Sequence, residues 1–384
     1  MDKKTIRNIL LFIIVFSFCY GAIRIYKHEK ETTPPEITTE VIKSDIDFSA
    51  DIIYSPSLSG VNSQSMLYTL EKDGSLEKSD EVPVYTRGCV IDEETWELLS
   101  GINKGKIICT QFTDDGLLAA YYNKENINPF LVIFIDSNKN VKFAKEIPAF
   151  TEESPAIYAM SMDNEKIYLF DYDEENEAIN IYTTNINSEN SYITTIKWED
   201  IAGEYSDTYH LGGLIISPNH LVVENDILYI VEQHYGDGDG ISRIFVSSYD
   251  IKNKRLIDVN LLGNCTLLSM KITDSSIVTL TNDDYSDYVV LHEFDKNTLK
   301  EISKKEYSLP DEWLSLTEDS EISFYIYPAI ITDEKIVISL PYRVEENTDI
   351  TFIAVYDIAS CNLEYLNRLT ASNSNYEVRE VYIK

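Results

Sequence analysis

The stretch "YVVLHEFDKNTLKEISKKEYSL" (288–309) sets the fold. An apolar, β-branched run ends at Asp295, Asn and Lys fill a short polar corner, and a second run follows. This is the grammar of a β-hairpin, because a short Asp carboxylate can bond the turn backbone where the first strand stops. The unit recurs as "MLYTLEKDGSLEKSDEVPVY" (66–85), "FLVIFIDSNKNVKFAKEIPAF" (130–150) and "INIYTTNINSENSYITTIKW" (179–198). It returns as "RIFVSSYDIKNKRLIDVNLL" (243–262) and "TFIAVYDIASCNLEYLNRLT" (351–370). Asp136, Asp250 and Asp357 stand where Asp295 does.

Each hairpin from the second unit onward is preceded by two further strand-like runs. Examples are "AIYAMSMD" (156–163) with "KIYLFDYD" (166–173), "LLSMKITD" (267–274) with "SIVTLTND" (276–283), and "YIYPAIITD" (325–333) with "KIVISLPY" (335–342). The second run of each pair is nearly continuous in apolar residues, as expected of a strand covered on both faces. Four antiparallel strands repeated about every 45–65 residues of the chain describe the blades of a β-propeller. The expected fold is all-β, with six four-stranded blades over residues 45–384. The first unit has "ADIIYSP" (50–56) but no leading strand, and the C-terminus has a spare one, "YEVREVYIK" (376–384). Pairing the spare strand into the first blade would close the ring and leave no open sheet edge. This hairpin rhythm resembles the broad superfamily of six-bladed, TolB-like propellers of bacterial envelopes. The resemblance implies a fold and an extracytoplasmic setting, and carries no catalytic residue over.

Composition agrees. The 384 residues include 27 tyrosines but only 14 glycines, and the chain carries a net charge of −33. Residues 1–30 are net positive and the remainder carries −37, which repels nucleic acid and excludes it as a partner. The start "MDKKTIRNILLFIIVFSFCYGAIRIYKHEK" has a basic tip and an uncharged run from Asn8 to Ile23. That run is long for a signal-peptide core and marginal for a membrane span. It reads as an N-terminal transmembrane helix and anchor (1–30), the alternative being secretion after signal cleavage. Residues 31–44 then read as a linker and 45–384 as the propeller, a monomeric body outside the cytoplasm. Of the four cysteines in the body, Cys89 and Cys109 are nearest in sequence; one disulfide or buried thiols both fit Cys89, Cys109, Cys265 and Cys361.

Function is less legible. "HYGDGDG" (234–240) joins two strands, so it does not open the helix that a phosphate-cradling loop requires. Read as a calcium loop it supplies Asp237, Asp239 and the turn glycine Gly240, but its first ligand position is Tyr235 and its twelfth is Val246. Those two positions should carry oxygen ligands, so it is a hairpin loop and no resident cofactor is expected, calcium being the alternative. Loops between second and third strands emerge at one end of a propeller. Here they include "DEENE" (173–177), "YGDGDG" (235–240), "NDDYSD" (282–287) and "VEENTD" (344–349). Blade connections at that end add aromatic residues and histidine. The candidate ligand residues are Trp96, Tyr209, His210, His234, Asp237, Asp239, Asp283, Asp284 and Trp313. An acidic, aromatic mouth fits an envelope protein with a basic surface or a cationic small ligand. His210, His234 and Asp237 together would make a metal site if the fold joined them. No nucleophile elbow or His-Glu-x-x-His motif occurs. A binding or scaffold module is therefore favoured over the alternative, a hydrolase or lyase working at the channel mouth.

Overall fold

The computed structural model describes residues 35–384 apart from 57–62, 86–88, 103–105, 114, 123–129, 148–156, 158, 174–175, 187–190, 206–220, 236–241, 264, 284–285, 318–328, 344–348 and 373–375. Within them the chain forms six antiparallel blades and one small three-stranded sheet. Blade 5 shows the plan, with Cys265–Ile272 innermost, then Ser276–Asp283, Tyr288–Asp295 and Glu301–Ser308. Blades 2, 3, 4 and 6 repeat it over 106–147, 159–197, 221–263 and 329–371. The chain is a six-bladed β-propeller.

Local chemistry forms the hairpins as expected. Asp136 accepts the backbone N–H groups of Asn138 (3.0 Å) and Asn140 (2.8 Å). Asp250 accepts Asn253 N–H (2.8 Å), Asp295 accepts Thr298 N–H (2.8 Å) and Asp357 accepts Ser360 N–H (2.8 Å). Each of these turns then passes through one left-handed residue, at Lys139, Lys254, Leu299 and Cys361. The Asp bonds fix the corner that makes this conformation tolerable in a side chain other than glycine.

Burial follows the strand order. The third strand of blade 3, Ala178–Asn185, is buried at every residue but the last, whereas the fourth strand of blade 5 is mostly exposed. The core lies between blades, and the tyrosines are used there. Tyr307 of blade 5 and Tyr356 of blade 6 meet edge to face at 5.7 Å. Each hydroxyl crosses to the other blade, Tyr307 donating to Ile358 O (3.3 Å) and Tyr356 to Ser308 O (2.9 Å). A tyrosine thus supplies apolar area and satisfies a neighbouring carbonyl at once. Inner edges are tied similarly: Met160 N–H donates to Gln111, Val223 N–H to Ser161 and Leu267 N–H to Gln233. These bonds give partners to backbone groups that have no fifth strand toward the channel.

The ring closes through blade 1. Tyr376–Ile383 is its innermost strand, running antiparallel to Ala50–Pro56 from the Tyr376–Pro56 pair to Ile383–Ala50. The closure read from the spare C-terminal strand is therefore the one the protein uses. The outer half of blade 1 differs from the expected 66–85 hairpin. Its strands are only Met66–Leu70 and Leu76–Lys78, after which Val84–Tyr85 joins Ser63–Gln64 and Val90–Ile91 in the separate small sheet. The helix Glu93–Ile102 follows, and Leu99 with the half-buried Trp96 packs on the face that blade 2 turns toward blade 1. The small sheet shares in that cover through Val84, Cys89 and Ile91.

A second departure is at the N-terminus. Ile37–Ser44, read from sequence as part of a linker, is a fifth strand on the outer edge of blade 6, antiparallel to Leu363–Ala371. Thr39 donates to Asn367 (2.8 Å) and Arg368 pairs with Glu40. The first strand of the propeller thus belongs to the last blade, and the last strand to the first. None of Cys89, Cys109, Cys265 and Cys361 is joined in a disulfide. Cys89 lies in the cluster between blades 1 and 2 and Cys109 in the one between blades 2 and 3, on opposite sides of the same sheet.

Candidate functional site

The strand registers decide which loops share an end of the ring. In blade 4, Ile227–Tyr235 rises from the turn at 225–226 and Ser242–Asp250 descends to the Asp250 turn. The 236–241 segment therefore leaves from the end opposite to the Asp turns, and the same holds for the second-to-third loops of blades 2, 3, 5 and 6. His234 and Asp283 close the second strands of blades 4 and 5, opposite Arg243 and Cys265. Both strand ends deliver their loops to this one end. Tyr209, His210, Asp237, Asp239 and Asp284 lie outside the described residues, as do residues 236–241 of the calcium reading, whose end positions Tyr235 and Val246 lie in strands. Among the described residues no group of three His, Cys, Asp or Glu is placed to hold a metal ion.

The two tryptophans have structural positions. Trp313 lies on the helix Asp311–Thr317 and is 1% exposed, inside the core between blades 5 and 6. Its indole N–H points to Pro341 O at 3.4 Å. Trp96 lies near the start of its helix, where Lys139 of the blade 2 Asp turn pairs with Asp92 and Glu94. That is toward the end of the ring away from the second-to-third loops. The described part of an acidic loop also uses its own charge locally: Asp173 accepts Asn176 N–H (3.1 Å) and its side-chain amide (2.8 Å).

Two carboxylates escaped the sequence reading. Asp171 and Glu232, on the second strands of blades 3 and 4, are 2% and 0% exposed. Each sits near the strand end that leads to the acidic loops. Their signal was a charge inside an apolar run, in "KIYLFDYD" and "ILYIVEQHY", and a propensity argument alone passes over such a break.

A third acid sits in the closing strand. Glu380 is half-buried, accepts Val90 N–H and is the acceptor for the Tyr382 hydroxyl. Loss of solvent pushes its pKa from the ordinary 4.5 to about 7, more than those bonds pull it down. The folded state therefore holds the proton more tightly than the unfolded chain. The linked stability is fully present below about pH 4.5 and is lost as pH rises through about 7. Its ceiling is about 3 kcal/mol, reduced to roughly 1–2 by the remaining solvent contact. Glu380→Gln should accordingly raise the urea unfolding free energy by about 1–2 kcal/mol at pH 8 and leave it unchanged at pH 4. Equal effects at both pH values would remove ionisation as the cause.

No protein-family model matches the chain, and no curated protein does. Among solved structures, an ACO/RPE65 chimera superposes with a TM-score of 0.52 at 7% identity, over 92% of this chain and 97% of that one. A Dos1 propeller gives 0.38 at 9% identity, over 88% and 95% of the two chains. Hydrazine synthase from Kuenenia stuttgartiensis gives 0.36 at 11% identity, over 64% of this chain, which spans 60% of that one. At these identities the likeness is one of fold alone.

Proposed function

We propose that the chain is a membrane-anchored, extracytoplasmic binding module whose ligand face is the end of the ring carrying the second-to-third loops. The observation that supports this most is the common register: it sends every such loop of blades 2 to 6 to one end. In sequence four of those five loops are acidic. A concentration of negative charge at one end attracts a cationic ligand or a basic protein surface and steers its approach. The anchor rests on the apolar run of residues 8–23, outside the described residues; no helix among those described is long and apolar enough to cross a membrane.

The test compares two charge-matched variants. One neutralises the proposed face with Asp237→Asn, Asp239→Asn, Asp283→Asn and Asp284→Asn. The other neutralises first-to-second turns at the opposite end with Asp115→Asn, Glu165→Gln, Asp274→Asn and Glu334→Gln. The probe is spermine or an oligolysine peptide, read by calorimetry at about 0.15 M salt, where exposed charges are screened beyond about 8 Å. Binding should weaken at least tenfold in the first variant and less than twofold in the second. Equal losses would reduce the effect to overall charge and remove the face as a site.

A further inference from the structure

Exposed apolar side chains are not spread evenly over the described residues. Val41, Val141, Ile193, Ile257 and Ile302 lie singly on outer edge strands, and Ile102 ends the helix after blade 1. Scattered residues of that kind are ordinary surface. Phe112, Tyr382 and Ile383 are different: they are 54%, 40% and 37% exposed and lie on the innermost strands of two adjacent blades. All three are at the Asp-turn end of the channel. Phe112 pairs with Leu117, next to the Gly116–Asp136 pair, and Tyr382 and Ile383 pair with Asp51 and Ala50 at the start of their neighbouring strand. At the same end of blades 3, 5 and 6, Met162 and Ile272 are half-buried and Ile331 is buried.

The seam between blades 1 and 2 is also built differently. Blades 2 to 5 are tied at their inner edges by Gln111, Ser161 and Gln233. Here residues of the small sheet are inserted instead: Val90 N–H donates to Glu380 on blade 1, and the Cys89 thiol donates to the Thr110 hydroxyl on blade 2 (3.0 Å). Register turns Phe112 toward blade 1, because its partner Leu117 belongs to the core between the two blades. Tyr382 stands on the same side of its strand as Glu380, to which its hydroxyl donates. The seam therefore opens on the channel end with an aromatic mouth and a half-buried carboxyl behind it. Around that carboxyl, blade 1 contributes Tyr382 and Asp51, the latter paired with Lys384 (2.6 Å), and the small sheet contributes Cys89. Blade 2 turns Tyr121 and no charged side chain to this face along its two inner strands. Val90 and Tyr382 occupy two of about four lone-pair positions on the carboxylate, and no cationic side chain adds to them.

We propose that this mouth binds a small organic amine, its apolar body against Phe112 and Tyr382 and its ammonium group at Glu380. Aromatic faces and a carboxylate both favour a cation with apolar substituents over a bare metal ion. The site is at the end of the ring opposite to the acidic loops and does not rest on them. An ammonium group stabilises the ionised carboxylate, so binding expels the proton that burial holds on Glu380 up to about pH 7. Affinity should therefore rise about tenfold between pH 6 and pH 8.

The experiment titrates 2-phenylethylamine, charged at both pH values, into the full chain by calorimetry, with 2-phenylethanol as the neutral probe of the same shape. Phe112→Ala should weaken amine binding at least fivefold. Glu380→Gln should weaken it at pH 8 and flatten the pH dependence to less than twofold. Ile302→Ala, on the exposed edge of blade 5, should change nothing, and 2-phenylethanol should show no rise with pH. No binding at pH 8, or binding that neither Phe112→Ala nor Glu380→Gln alters, overturns the site. Binding lost instead in the Asp237, Asp239, Asp283 and Asp284 variant overturns it too and places the amine at the loop end.

Discussion

A chain ending at Ser372 should fail to fold cooperatively. The missing segment carries the innermost strand of blade 1, in which Tyr376, Val378 and Val381 are 7%, 5% and 1% exposed. Burying such side chains contributes about 1.5–3 kcal/mol each, on the order of 6 kcal/mol for the three. The loss also strips Ile52 and Tyr54 of cover and leaves the Ala50–Pro56 strand without a partner on its channel side. Against a total stability of about 5–15 kcal/mol, that is enough to empty the native state. The expected signs are loss of the thermal transition and aggregation on size exclusion, since an opened ring exposes a sheet edge. A synthetic 373–384 peptide should restore part of the transition in proportion to its concentration, as any ligand of the native state does. A truncated chain that melts within a few degrees of the full one would show that the closing strand is dispensable.

That closure was legible because both of its halves are local statements. "ADIIYSP" and "YEVREVYIK" each read as a strand, and the hairpin count left one of each without a blade. The Asp turns were legible for the same reason: Asp295 bonds residues two and three places on, within reach of any sequence window. What escaped depends on distant partners. "ITTEVIKS" (37–44) looks like a polar stalk because it is an edge strand, half of it exposed, with a partner more than 300 residues away. The helix at 93–102 was missed because nothing local says that the outer strands of blade 1 are too short to cover blade 2. Trp313 was read as a ligand residue from its acidic, connecting context, yet the blade 5–6 core surrounds its ring. Aromatic content does not distinguish a mouth from a seam.

Removing the N-terminal strand should cost less than removing the C-terminal one, but it should change the assembly state. Ile37 is half-buried against the core between blades 6 and 1 and Ile42 against the core between blades 5 and 6, and Thr39 bonds Asn367. A chain starting at Ile46 should be about 3–4 kcal/mol less stable than one starting at Pro35 and melt several degrees lower. Its uncovered Leu363–Ala371 edge should pair with a second copy, visible as a dimer in sedimentation at micromolar concentration. Gly74 tests the packing of this strand at a single contact. It has φ +82°, and a Cβ there would lie 2.0 Å from Val41 Cγ2. Gly74→Ala should therefore cost about 3 kcal/mol, of which about 1–2 is the left-handed backbone and the rest the collision. Val41→Ala removes the collision and leaves the backbone cost, so the pair should couple by about 1–2 kcal/mol in a double-mutant cycle. Additive effects would mean that Val41 does not press on the blade 1 turn. The strand's hold on blade 1 would then come from Ile37 in the core between blades 6 and 1, and not from this turn.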